Sequence, residues 1–125
     1  MNEIIYPGES DKIMGACLEV YKEKGCGFLG AVYREYLEFE LRDQDVPNTS
    51  QQKLESSYKG RPLKQTYEPD FICHSKISLE IKAVTNLTGE HRARVQNYLR
   101  ATGHRLGRLV KFGPYPKVET ERIAR

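Results

Sequence analysis

Apolar residues recur every three or four positions in the first third of the chain, which is typical of helices that bury one side. The pattern covers residues 9–24 and again residues 28–42. A short glycine-rich joint, Gly25-Cys26-Gly27, separates the two segments. We therefore expect two amphipathic helices that are neighbours in space. A third helix is predicted from Thr88, a good N-cap, to about Ala101, where Thr102-Gly103 ends it.

Alternation of apolar and polar residues predicts the strands. Residues 49–58 form the expected edge strand, and residues 63–73 and 76–84 complete an antiparallel meander whose apolar face covers the helices. Residues 106–112 are the predicted fourth strand. Because a helix crosses between them, this strand should lie parallel to residues 76–84 and beside them. The end of the chain either adds a short strand at Arg122-Ile123 or stays irregular.

The resulting order, α-α-β-β-β-α-β, predicts an α/β fold with a mixed sheet of four to five strands that helices flank. With 125 residues, 38% of them hydrophobic, we expect a single domain over residues 1–125. No apolar run reaches the length of a membrane span, and the first residues do not form a basic-then-apolar signal. We therefore expect a cytoplasmic protein without a membrane partner.

The register of one hairpin can be inferred directly from residues 67–84. If the polar triplet 74–76 is the loop, Cys73 faces Ile77 and, counting outward, Asp70 faces Glu80. Strand side chains alternate between two faces, so Asp70, Glu80 and Lys82 share the face opposite the apolar one.

Two carboxylates that face each other, with Cβ atoms about 5 Å apart, destabilise a sheet unless a cation lies between them. Because Mg²⁺ and Mn²⁺ prefer oxygen ligands, Asp70, Glu80 and the Ile81 carbonyl form a candidate metal site. Lys82 would stabilise the anionic transition state of phosphoryl transfer or orient the attacking water. An ordinary explanation stays open, in which Lys82 pairs with Glu68 across the strands and the acids are solvated.

The pair Pro69-Asp70 followed by Glu80-Ile81-Lys82 resembles the signature of the PD-(D/E)XK nuclease superfamily, whose core is restriction-endonuclease-like. Further stretches are similar to its GxxExxY branch: residues 14–21, 25–29, 32–35, 58–63 and 91–103. The resemblance implies a metal-dependent nuclease with Mg²⁺ or Mn²⁺ as cofactor. Asp70, Glu80 and Lys82 would be its catalytic residues, and Asp70, Glu80 and Ile81 would bind the metal. It also implies nucleic acid as the partner, DNA ahead of RNA, and makes a homodimer an open expectation.

Two positions depart from the family pattern. Gly30 stands where the namesake glutamate is expected, and Arg94 stands where family members usually carry a glutamine. Glu19 is the nearest candidate substitute for the glutamate, with a surface or capping role as the open alternative. His91 is a second candidate auxiliary residue, with an ordinary buried or capping role as the open alternative. These departures keep an alternative function open, namely a catalytically inactive nuclease-like module that binds nucleic acid or a protein.

Charge is distributed unevenly along the chain. Residues 1–90 contain 11 Lys and Arg against 15 Asp and Glu, whereas residues 91–125 contain 9 against 2. A basic region favours a polyanionic partner, because Lys and Arg contacts to phosphates supply most sequence-independent affinity. Arg92, Arg94 and Arg100 are therefore candidate nucleic-acid-binding residues, with a simply solvated face as the alternative.

Overall fold

A five-stranded mixed sheet lies between two helical layers in the computed structural model, which describes residues 5–125. The helices are α1 (Pro7–Lys24), α2 (Gly30–Asp43) and α3 (Gly89–Thr102). The strands are β1 (Asn48–Ser50), β2 (Leu54–Tyr58), β3 (Arg61–Tyr67), β4 (Phe71–Cys73), β5 (Ile77–Lys82), β6 (Leu106–Lys111) and β7 (Glu119–Ala124). The main sheet has the order β1-β4-β5-β6-β7, and β2 and β3 form a separate two-stranded sheet.

The three predicted helices are confirmed, with ends that differ by no more than two residues from the expected ones. Helices α1 and α2 bury their apolar stripes against one face of the sheet, in a core that includes Ile13, Leu37 and Phe71. Helix α3 covers the other face through Val95, Tyr98 and Leu99. The mixed α/β architecture follows from this burial on both faces. None of the helices within residues 5–125 is both long and apolar enough to cross a bilayer.

The hairpin of β4 and β5 has the predicted register. Cys73 pairs with Ile77 and Phe71 pairs with Leu79, and all four side chains belong to the core under α1 and α2. The turn forms within the polar triplet, where the Lys76 N–H donates to the Cys73 carbonyl. The opposite face of β5, which carries Glu80, therefore lies toward α3.

The predicted three-stranded meander is wrong. Residues 63–73 do not form one strand, because β3 ends at Tyr67 and β4 begins at Phe71. The buried Pro69 lies in this interruption and has no N–H to donate to a ladder. On the side away from β5, strand β4 pairs with the short strand β1. The chain then turns away from the main sheet at Gln51, where φ is 49°. Strands β2 and β3 then pair only with each other.

The second half of the sheet agrees with the sequence more closely. Strand β6 pairs in parallel with β5, as the strand–helix–strand pattern predicts. Thr88 caps α3, and Gly103 ends it in the left-handed conformation with φ of 77°. The end of the chain, for which two outcomes were open, forms the six-residue strand β7, antiparallel to β6.

Candidate active site

A cavity of about 200 Å³ opens between β5, the segment before β4 and helix α3. The ionisable side chains that line it include Asp70, Glu80, Lys82, His91 and Arg94. The structure thus brings together three strand residues that the hairpin register predicts on one face and two residues from the predicted third helix. Its inner wall is formed by less polar groups, among them Tyr67, Ser78, Val95, Tyr98 and Leu109.

Asp70 is held firmly at the edge of this cavity. It is only 8% exposed. Its Oδ2 accepts the backbone N–H of Ile81 at 2.8 Å, and its Oδ1 accepts the Arg34 Nε–H at 3.0 Å. Strand β4 has not yet begun at this residue, so the Asp70 side chain, rather than a backbone carbonyl, satisfies the Ile81 donor. The aspartate therefore lies next to the strand that carries Glu80, although no ladder pair joins the two residues.

Glu80 has an unusual electrostatic environment. Burial and, to a smaller extent, the negative charge of Asp70 raise the pKa of its carboxyl to about 7, although the positive charge of Lys82 offsets part of the increase. An acid in this position is ionised only in part at neutral pH unless more positive charge is added. The pair of acids thus has the electrostatic character of a cation site.

The donor set suits a hard divalent cation. Asp70 and Glu80 provide carboxylate oxygens. The Lys82 carbonyl accepts the Phe112 N–H, so it points to the side of β5 on which β6 lies. Successive carbonyls of a strand point to opposite sides, so the Ile81 carbonyl points to the β4 side, at a level where β4 has not yet begun. Two carboxylates and one carbonyl leave room for water ligands, as Mg²⁺ sites usually do. Within residues 5–125 no group of three or more His, Cys, Asp or Glu side chains is arranged to hold a metal ion, so carboxylates supply only two of the ligands proposed here.

Lys82 does not form the cross-strand pair that the sequence left open. Among the ion pairs found in residues 5–125, none joins Lys82 to Glu68. Both residues line the cavity. The ammonium group is therefore available to a ligand that enters it.

Helix α3 contributes His91 and Arg94 in different ways. His91 completes a capping box, since its Nδ1 accepts the Thr88 N–H at 3.2 Å, so the capping role left open for it is present. Arg94 is exposed at the cavity wall and lies 3.8 Å from the Glu90 carboxylate, its neighbour on the helix. An exposed pair of this kind is weak, so Arg94 can turn toward an anion.

The remaining candidates lie elsewhere. Arg92 forms a two-pronged ion pair with Glu121 on β7, and Arg100 bonds Asn97 on the helix surface. Neither lines the cavity, and neither does Glu19. That Arg92 and Arg100 bind nucleic acid outside the cavity stays a prediction.

The basic C-terminal third serves the fold more than the sequence suggests. Besides Arg92, Lys111 pairs with Glu119 at 3.0 Å, and Arg108 is buried and bonds Thr120. Arg122 donates to the Ile5 carbonyl. Much of the positive charge of this region thus takes part in ion pairs and hydrogen bonds that hold β6 and β7 in the fold.

Arg34 is the site residue that sequence reasoning missed. It lies one helical turn beyond Gly30 on α2, and thus on the side of the helix where the family glutamate is expected. The pattern at residues 32–35 indicated a helix and a likeness to the GxxExxY branch, but no role for Arg34. Nothing in the sequence pairs residues 34 and 70, because the contact depends on how α2 packs on the sheet.

Comparisons with known proteins agree with this architecture. A family model described as the PD-(D/E)XK nuclease superfamily matches residues 8–123. Among solved structures, SSO0001 is similar over 77% of this chain and 50% of its own, with a TM-score of 0.61 and 22% identity. The alkaline exonuclease LHK-Exo from Laribacter hongkongensis is similar over 98% of this chain and 72% of its own, with a TM-score of 0.56 and 12% identity. At these identities the two structures show a shared fold. No curated protein gives a significant match.

Proposed function

Because this chain belongs to the PD-(D/E)XK nuclease superfamily, we propose that it is a metal-dependent nuclease that hydrolyses phosphodiester bonds of nucleic acid. The observation that carries the proposal is the meeting of Asp70, Glu80 and Lys82 in one cavity. We propose DNA ahead of RNA as the substrate, and Mg²⁺ or Mn²⁺ as the cofactor. The assignment to the GxxExxY branch is part of the same proposal.

In this mechanism Asp70, Glu80 and the Ile81 carbonyl would hold the metal. Once bound, Mg²⁺ or Mn²⁺ supplies Lewis-acid activation of the phosphate and of water. The Ile81 N–H keeps the Asp70 carboxylate in place, so little reorganisation is needed when the substrate arrives. Lys82 donates hydrogen bonds to the phosphate oxygens, where negative charge develops, or to the attacking water. Arg94 binds a neighbouring phosphate at the cavity wall.

A second candidate function is nucleic-acid binding without catalysis. The ion pair between Arg34 and Asp70 favours it, because a guanidinium already occupies one oxygen of the predicted metal ligand. The glycine at position 30 favours it as well, since it removes a carboxylate that the family pattern places on α2. The intact acids and Lys82 favour the enzyme.

A cleavage assay separates the two candidates. Fluorescently labelled single-stranded, duplex and branched DNA, and matching RNA, are incubated with Mg²⁺, with Mn²⁺ and with EDTA. The variants Asp70→Asn and Glu80→Gln test the two acids. Asp43→Asn, on the exposed end of α2, and Glu23→Gln, on the exposed side of α1, are the matched controls.

The nuclease proposal predicts cleavage that requires the metal and that falls by at least about 100-fold in both site variants, as is usual when charge stabilisation of a transition state is removed. Both controls should retain the wild-type rate. Binding of nucleic acid with no cleavage under any metal condition would instead establish the non-catalytic module.

A further inference from the structure

The hairpin of β2 and β3 projects from the fold with little support. Of its strand residues, only Leu54, Ser56 and Tyr67 are partly buried, and all the others are exposed. A tight turn at Lys59-Gly60, with φ of 49° and 77°, closes its tip. A two-stranded hairpin exposed on both faces is at best marginally stable in water. Its base, where Leu54 and Tyr67 pack against the α3 core, is what anchors it.

The hairpin is basic and carries an exposed aromatic ring. Residues 53–67 contain four basic side chains and one acidic side chain: Lys53, Lys59, Arg61, Lys64 and Glu55. None of the four basic residues takes part in an ion pair within the described part of the chain. Tyr58 is 62% exposed, and the Lys59 ammonium lies 5.5 Å from its ring centroid. This positive charge, unlike that of β6 and β7, is free to meet a polyanion.

One face of the hairpin continues the wall of the cavity. The ladder has a register shift between Glu55 and Ser57, but the extra residues lie on β3. Side chains alternate along β2, where Leu54 and Ser56 are partly buried, so Leu54 and Tyr58 lie on the same face. Their partners across the ladder are Tyr67 and Arg61, which share that face. Since Tyr67 lines the cavity, Tyr58 and Arg61 extend the same surface outward to the tip.

The base of the hairpin is also close to Asp70 along the chain. Strand β3 ends at Tyr67, and Asp70 follows after two residues. The partners of Tyr67 and Arg61 across the ladder, Leu54 and Tyr58, are four residues apart, because β3 has extra residues at the register shift between Glu55 and Ser57. At about 3.3 Å per residue, the hairpin therefore reaches roughly 13 Å from Tyr67 to Arg61. With one phosphate per 3.4 Å of each strand, this length corresponds to about four nucleotides.

From these observations we infer that the β2–β3 hairpin is an arm that binds the nucleic-acid strand leading to the cavity, with Arg61 contacting a phosphate and Tyr58 stacking on a base. The inference rests on the proposed function for the nature of the partner. Charge favours a polyanion, and the exposed tyrosine beside a basic residue favours one with aromatic bases, because stacking platforms flanked by cations are how proteins bind single strands.

Binding without cleavage tests the arm. The dissociation constant of a labelled single-stranded DNA is measured by fluorescence anisotropy in EDTA, so that the result does not depend on hydrolysis. Arg61→Gln and Ser57→Glu each lower the charge of the hairpin by one, but Ser57 lies on the opposite face, where it pairs with Pro62. Tyr58→Ala tests stacking, and Arg61→Lys tests whether charge restores binding.

If the hairpin is such an arm, Tyr58→Ala should raise the dissociation constant by about fivefold or more, which corresponds to the usual energy of one stacked base. Arg61→Gln should weaken binding by a similar factor and reduce the salt dependence by about 0.7 in the slope of log K against log salt. Ser57→Glu should change the affinity less than about twofold, because its side chain faces away from the strand. Arg61→Lys should recover most of the loss. Thermal melting of each exposed-site variant should match that of the wild type.

Equal losses for Arg61→Gln and Ser57→Glu, or wild-type affinity in Tyr58→Ala, would overturn the arm while leaving the nuclease proposal intact. Poly-glutamate that competes as well as DNA would also overturn it, and would indicate an acidic protein as the partner. If no cleavage is observed but the predicted losses of binding are, the arm proposal holds and only the catalytic proposal is overturned.

Discussion

Arg34 on α2 donates its Nε–H to Oδ1 of Asp70 at 3.0 Å, so a cation from the helix already contacts the acid at the centre of the candidate site. The Arg34 side chain is 28% exposed and that of Asp70 is 11% exposed, so water screens the pair only in part. A metal ion at Asp70 must share its carboxylate with this guanidinium or displace it. Through this ion pair, the affinity of the site for a metal ion depends on the position of α2.

Replacement of Arg34 by glutamine should tighten Mn²⁺ binding. Removing a partly screened ion pair that is worth about 1 kcal/mol corresponds to about a fivefold lower dissociation constant. Isothermal titration with Mn²⁺ measures the dissociation constant of the wild type and of Arg34→Gln. The control is Arg42→Gln, at an exposed position near the end of the same helix. Unchanged or weaker binding in Arg34→Gln would show that the guanidinium does not oppose the cation.

The metal-free protein should become less stable as the pH rises through the titration of Glu80. The ordinary pKa of a glutamate is 4.5, and burial raises that of Glu80 to about 7. Below about pH 4.5 the carboxyl is protonated in the folded and unfolded states, so its shift has no effect. Above about pH 7 it is ionised in both states, and the full penalty of a buried charge is present. Glu80 thus lowers the free energy of unfolding progressively between these values.

Glu80→Gln should remove this penalty. At about 1.4 kcal/mol per pKa unit, the free energy of unfolding of the variant should exceed that of the wild type by on the order of 3 kcal/mol at pH 8 and by little at pH 4. Urea denaturation in EDTA measures both differences. Glu23→Gln, on the exposed side of α1, should follow the wild type at each pH. A variant no more stable than the wild type at pH 8 would contradict the electrostatic description of the acid pair.

Lys82→Ala should impair catalysis while leaving the metal in place. If Lys82 stabilises charge that develops in the transition state, its loss should lower kcat by about 100-fold or more. The metal ligands are unchanged, so the affinity for Mn²⁺ should stay the same or rise slightly, because a neighbouring positive charge is removed. Single-turnover cleavage measures the catalytic rate of Lys82→Ala, and calorimetric titration measures its affinity for Mn²⁺. Lys22→Ala, on the exposed side of α1, is the control for both measurements.

Gly107 on β6 should be required for the contact of α3 with the sheet. A Cβ at this position would clash with the Val95 side chain and would lie 2.9 Å from Ser78 Oγ. Gly107→Ala should therefore destabilise the fold by about 1–3 kcal/mol, as overpacking usually does. Gly89→Ala, where a Cβ meets nothing within 4 Å, is the matched control and should be neutral or slightly stabilising. Equal melting temperatures for the two variants would contradict the close packing of α3.

Local pattern was sufficient for much of this fold. The β4–β5 register followed from a polar turn and from alternation, and both ends of α3 followed from Thr88 and Gly103, because these features depend on neighbouring residues. The separate hairpin did not follow. Alternation predicts a strand but not its partner, and the interruption at Pro69 redirected β3 away from β4.

The site was predictable to a similar extent. Asp70 and Glu80 were placed together by a register that only adjacent residues determine. The contact of Arg34 depends on the packing of α2, and the pairing of Arg92 with Glu121 depends on β7, whose formation the sequence left open. Charge counts along the chain could not separate the arginines that stabilise strands from the basic residues that stay exposed on the hairpin.

Crystals grown with manganese show whether Asp70 and Glu80 together hold a divalent cation. Anomalous scattering locates Mn²⁺ without reference to activity. We expect a peak within bonding distance of the Asp70 and Glu80 carboxylates and of the Ile81 carbonyl. A map in which saturating manganese leaves this position empty, with the Arg34 pair to Asp70 intact, would contradict it.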